Sequence, residues 1–303
     1  MVLSFRVGKI PVRITPSFFV VTVVLNLGLA SLAEFVAWVA IVFGSVLAHE
    51  LGHAVAGAAC GLEPQIALHG LGGTTSWASP RKLSTVQRVA ISLAGPLAGF
   101  VVAALVYFAA PPSLVDTETG RFVYTSLLFV NFGWGVLNLL PMLPLDGGNV
   151  MTVLLNAAMH GRGERTARIV SIGVAALAAV AAALARSVWP AFLAASFIAT
   201  NWRALAALGA AEHDAPMRVM LDRAYAALEA KNAAQVVELA RPVALKSKTL
   251  PVRAEALQLL AFGFLLDNRP GDADAAIAAM PTGYLPDPSL LRLRAASGDG
   301  TPS

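Results

Sequence analysis

Charge is what this sequence has least of. Asp, Glu, Lys and Arg make up 13% of its 303 residues, about half of the ~25% usual in a soluble globular domain. Cysteine is nearly absent. Cys60 stands alone, so no intrachain disulfide can form and no oxidising compartment is implied. Neither sign of charge dominates, and a net charge of +4 calls for no nucleic-acid partner. The space left by charge is filled with apolar residues, 57% of the chain, and mean hydropathy is +0.68. Such values belong to an integral membrane protein. The start, "MVLSFRVGKIPVRITPSFF", has no small-residue cleavage pattern behind a short apolar core and reads as part of the mature chain.

Polarity changes near residue 211. Before it lie apolar runs at about 16–33, 35–60, 86–110, 122–141, 167–185 and 188–208, each near the 20 residues that cross a bilayer as a helix. The expected fold class is therefore all-α: a polytopic membrane bundle of about six helices with a soluble helical C-terminal domain. Residues 147–160 are apolar but short, as in an interfacial or partly inserted helix. "KIPVRIT" (9–15) alternates and reads as a strand. "PQIALHGLGGTTSW" (64–77) reads as two short strands around turn glycines, a β-hairpin. The expected domains are 1–211 in the membrane, 212–296 as paired amphipathic helices, and a disordered polar tail at 297–303. The helical pairs look tetratricopeptide-like, with Ala233 and Ala273 in matching places, though spaced by about 40 residues instead of 34.

Basic residues orient the spans. Arg6, Lys9 and Arg13 precede the first; Arg81, Lys82 and Arg88 lie around the loop between the second and third; Arg162, Arg165 and Arg168 lie between the fourth and fifth; Arg203 closes the sixth. The expectation is a multi-pass cell-membrane protein with both termini and the small β elements on the cytoplasmic side. The ends of spans 2 and 4 then share that face.

One stretch breaks the apolar pattern: "GSVLAHELGHAVAGAAC", residues 44–60. Ionisable groups inside a span cost about 2.5 kcal/mol or more and mark function. His49 and His53 are one helical turn apart and face the same way, a spacing that can hold one zinc ion. Glu50, beside them, can accept a proton from a zinc-activated water. A catalytic zinc site needs a third protein ligand. Glu63 and His69 are near in sequence but fall in the loop after the span. Asp146, in "NLLPMLPLDGG" (138–148), is the stronger candidate. It is the one acidic residue there, Pro141 and Pro144 break the helix ahead of it, and Gly147 and Gly148 permit close approach. His69 otherwise reads as a solvated loop residue, and Gly95 with Pro96 as a packing point in span 3.

"HELGH" within a membrane helix, followed about ninety residues later by "NLLPMLPLDGG", resembles the site-2 protease family of intramembrane zinc metalloproteases. The likeness extends over residues 9 to about 160 and takes in "IPVRITPSF", "LHGLGGTTSW" and "SLAGPLAG" (92–99). It implies one Zn²⁺ per chain held by His49, His53 and Asp146, with Glu50 as general base. It also implies that Asn138 steadies the substrate carbonyl or oxyanion, and that Gly72 and Gly73 lie where an extended substrate strand pairs. The substrate would be a single-span membrane protein such as an anti-sigma factor or a signal-peptide remnant. The C-terminal helical domain would serve regulation or bind a protein partner. A catalytically silent scaffold of the same family would not need Glu50 and all three ligands. A transporter would spread polar residues over several spans and show internal repeats, and neither is evident.

Overall fold

The structure, a computed structural model, describes residues 2–24, 31–70, 72–78 and 81–298. The chain forms two compact units, Met1–Trp202 and Arg203–Ser303.

The first unit opens with a hairpin, β1 (Leu3–Val7) and β2 (Ile10–Ile14). Helices α1 (Pro16–Val24) and α2 (Leu32–Ala59) follow, then β3 (Pro64–His69) and β4 (Gly72–Trp77). The sheet order is β1-β2-β3-β4, antiparallel except where β2 meets β3. The two expected strand regions are present, and β1 is an addition that sequence alternation alone did not mark. Val12, Ile14, Ile66 and Leu68 point to one face and pack with Phe18 and Ala54. Arg13 between Val12 and Ile14 stays exposed, the period-two pattern of a sheet with one covered face. That packing seats the sheet on α2.

Ser31 caps α2, accepting the Glu34 N–H at 3.2 Å. A reciprocal capping box between Ser84 and Gln87 starts α3 (Thr85–Ala109). A 3₁₀ turn, Pro112–Asp116, leads to α4 (Glu118–Leu128), a π-helical turn at Phe129–Gly133, and the short α5 (Trp134–Asn138). After the proline-bearing loop come α6 (Asp146–Ala158), α7 (Gly163–Leu184) and α8 (Val188–Glu229).

Four helices among the described residues are long and apolar enough to cross a membrane: α2, α3, α7 and α8. Two of the six expected spans are not among these four. The first is described only as far as Val24, and residues 25–30 lie outside the described residues. The fourth is helical without a break from Glu118 to Asn138, with a π turn at Phe129–Gly133 around the buried Asn131.

The division between the units falls inside α8, slightly earlier than the polarity change at 211. The second unit continues with α9 (Ala233–Lys246), α10 (Leu250–Leu266), α11 (Pro270–Ala278) and α12 (Pro288–Gly298). Leu221, Val236, Val243, Val252, Leu259 and Leu290 are its largest fully buried apolar side chains, each worth roughly 1.5–3 kcal/mol of burial. Asp214 ties α8 to the start of α10: its carboxylate accepts the N–H groups of Lys248 and Thr249 at 2.9 and 2.8 Å and the Thr249 hydroxyl at 2.6 Å. Burial pushes this carboxyl up, but the bonds from Thr249, His213 and the two main-chain N–H groups outweigh it and hold it far below the ordinary 3.8. Helix α12 runs two residues into the expected disordered tail, 297–303, and the remainder from 299 onward lies outside the described residues.

Candidate metal centre

The apolar residues of α2 place it between the sheet and α3, and that placement buries its polar turn. Glu50 and His53 are 5% and 8% exposed. The imidazoles of His49 and His53 stand edge to face, 4.8 Å between centroids, with their Nε2 atoms 3.2 Å apart. Asp146, the first residue of α6, turns one carboxylate oxygen to each: Oδ2 is 3.1 Å from His49 Nε2 and Oδ1 is 3.4 Å from His53 Nε2. The sequence thus named all three members of this group, though they are separated by more than ninety residues.

The donor set fits zinc. Two imidazole nitrogens and a carboxylate oxygen are the ligand types zinc takes, and one such atom from each residue lies within 4.8 Å of the other two. The His53 ring is also in the right tautomer. Its Nδ1–H donates to the Ile91 carbonyl at 2.7 Å, which leaves the Nε2 lone pair facing the group. Space for an ion is supplied by α3, because a Cβ at Gly95 would strike His53 Nε2 and crowd His49 Nε2. Gly95 is therefore more than the packing point its sequence context suggested.

Glu50 is held from the sheet side. The Thr75 hydroxyl donates to Glu50 Oε2 at 2.6 Å, with the Glu50 main-chain oxygen 3.1 Å away. Gly73 lies flat against the same side chain, and a Cβ there would overlap the Glu50 Cγ and Cδ. Trp77 covers Gly57 two turns further along α2. Residues 73, 75 and 77 are alternate positions of β4 and share its inward face. Gly72 faces open space at φ +121°, a backbone conformation that favours glycine. Within the sheet β4 pairs with β3 alone, so its outer edge carries no further strand among the described residues.

Asn138 ends α5 and is half-buried; it leads into the loop that brings Asp146 to the histidines. His69 bonds Thr74 Oγ1 at 2.8 Å on the hairpin, and Glu63 also stays outside the group of three donors.

Sequence reasoning passed over several polar residues. Thr75 is one. Ser45, a turn before His49, accepts from Asn131 Nδ2 at 2.8 Å. Ser171 and Asn201 are fully enclosed in α7 and α8. Their signal was present as polar side chains inside apolar runs, but pairing them requires the bundle.

Known proteins resemble this chain over part of its length. Residues 37–115 and 112–181 match the model of peptidase family M50. A zinc metalloprotease of Methanocaldococcus jannaschii is 28% identical over 156 residues, covering 50% of this chain and 44% of that protein. The chain thus spans under half the length of the curated relatives it matches, 41–44%. Among solved structures, a site-2 protease from the same organism superposes with a TM-score of 0.52 at 23% identity, covering 68% of this chain and 95% of that one. The shared feature there is the fold.

Proposed function

We propose that this chain, whose residues 37–181 match the model of peptidase family M50, is an intramembrane zinc metalloprotease. It hydrolyses a peptide bond within or near the transmembrane segment of a single-span substrate. The observation that carries this reading is the three-donor group of His49, His53 and Asp146 on helices of a membrane bundle, with the buried Glu50 next to His49 in the same turn of α2.

When bound, Zn²⁺ lowers the pKa of a water from 15.7 to about 7 and so supplies a nucleophile at neutral pH. The remaining work falls to side chains. Thr75 occupies Oε2 of Glu50, which leaves Oε1 to take the proton of the attacking water and return it to the departing amide nitrogen. Asn138, at the mouth of the loop, donates its amide N–H to the substrate carbonyl oxygen as negative charge gathers there.

A transmembrane substrate hides its peptide bonds in its own helix. It must unwind, and a strand edge offers its main chain new partners. The outer edge of β4, beginning at Gly72 and Gly73, supports that role, because the same strand holds Glu50 through Thr75. The basic loops around Arg6, Arg81 and Arg165 support a cytoplasmic position for this sheet, with both termini inside. Membrane stubs such as trimmed anti-sigma factors or signal-peptide remnants fit as substrates. The helical unit after residue 203 fits a regulatory, tetratricopeptide-like role with a protein partner.

The test is quantitative proteomics of membrane stubs in cells carrying Glu50→Ala against wild type. Accumulation of one or more single-span fragments in the variant is expected. If none accumulates, the protease reading fails.

A further inference from the structure

The loop 139–145 carries Asp146 to the histidines, and its polar main-chain groups have to be satisfied inside the bundle. Pro141 and Pro144 have no N–H to satisfy. Leu139 and Leu140 donate back to Val136 and Leu137, Met142 donates to Leu140, and Leu145 donates to Met142. Every one of these bonds stays within the loop or the end of α5. Leu143 is the exception. Its N–H donates to Ser171 Oγ on α7 at 2.9 Å, and its carbonyl accepts from Asn201 Nδ2 on α8 at 2.7 Å.

Both partners are shaped for this task. Ser171 is fully buried and passes its own proton to the Ala167 carbonyl at 2.7 Å, so its lone pairs are left for Leu143. Asn201 is 1% exposed and divides its two N–H donors between the Phe197 carbonyl of its own helix and the loop. Its Oδ1 has no hydrogen-bond partner among the described residues. The amide is therefore kept in a costly buried position for what its nitrogen does. Around the two bonds, Met142 and Leu145 of the loop pack with Ala175 and Phe197 of the same two helices.

We infer that Ser171 and Asn201 are positioning residues for the metal centre: by gripping the N–H and the carbonyl of Leu143 from two helices, they fix the third ligand, Asp146, three residues on. This deepens the zinc-protease reading and rests on it. A group bonded directly to a metal ligand is typically worth 10–100-fold in metal affinity, and the two bonds to Leu143 act on the ligand through three residues of main chain.

The experiment is a zinc titration of the full chain in detergent against a competing chelator, with helical content followed by circular dichroism. It compares wild type, Asp146→Ala, Ser171→Ala, Asn201→Leu and the double variant Asp146→Ala/Ser171→Ala. Ser171→Ala and Asn201→Leu are expected to weaken zinc binding about 10-fold, the low end of that range, with helical content unchanged. Because the grip acts through Asp146, the double variant should bind zinc as Asp146→Ala does, within about twofold, a non-additivity that marks coupled residues. Single variants that bind zinc like wild type overturn the inference, as does a double variant whose losses multiply, even if melting temperatures fall. Should Asn201→Leu fail to fold, Ser171→Ala decides alone. Equal zinc binding by wild type and Asp146→Ala would instead sink the zinc assignment on which the inference stands.

Discussion

Glu50 meets β4 at two residues, and each contact makes a prediction at the scale of one residue. A methyl group at position 73 overlaps the Glu50 side chain. Gly73→Ala should therefore displace the carboxylate and lower cleavage of the stub substrate by ~100-fold or more, the loss typical of removing a general base, while stoichiometric zinc is retained. Thr75 acts through a hydrogen bond to an ionisable group, worth about 1.5–3 kcal/mol and hence roughly 10–100-fold in rate. Thr75→Val should lose that much in kcat with KM little changed, and Thr75→Ser should recover most of it. Equal kcat in the valine and serine variants would show that the hydroxyl does not orient Glu50. Neither contact was legible in "GGTTSW". The alternation of 73, 75 and 77 could be read there, but not which face of the strand meets α2.

The start of α10 shows the same economy at the scale of an element. Asp214 of α8 accepts two main-chain N–H groups and a hydroxyl there, replacing a cap that α10 lacks in its own sequence. Asp214→Ala should cost about 1–2 kcal/mol, seen as faster hydrogen exchange in the first turn of α10. The native carboxyl is held below its ordinary value. Its contribution is thus fully present above an ordinary carboxylate pKa of 3.8 and is lost as pH falls through the lower native value. Exchange protection of that turn in wild type should drop on acidification below about pH 4, and Asp214→Asn should remove this dependence. A wild-type turn that keeps full protection at pH 2 would contradict the assignment. The fourth apolar run carries a different lesson. Its composition read as one span, and the helix does run on through it, but with a π turn at Asn131, whose amide reaches Ser45. Nothing local to that run announces its partner.

For the whole molecule, cohesion and chemistry are separable. The buried clusters of both units are apolar, so the bundle does not depend on a metal for its core as small zinc domains do. Removal of zinc by a chelator should abolish cleavage of the stub while leaving helical content within a few per cent on circular dichroism. Collapse of the helical signal on chelation would refute this separation. Orientation is testable at the same scale: a periplasmic reporter fused after residue 211 should be inactive if the basic loops have been read correctly, and activity there would reverse the orientation.

The sequence by itself determined the membrane character, the two hairpin strands, and His49, His53, Glu50 and Asp146 as a set. Those features follow from composition, from period, and from chemistry too costly to place in an apolar run without purpose. Only the tertiary structure decided what holds them in place: Gly95 opening space beside two imidazoles, Thr75 taking one oxygen of Glu50, and Ser171 with Asn201 gripping Leu143. The physical reason is distance along the chain. A helical turn brings residues four apart together in any context, whereas a hydroxyl on β4 or an amide on α8 finds its partner only after the bundle has chosen which faces meet.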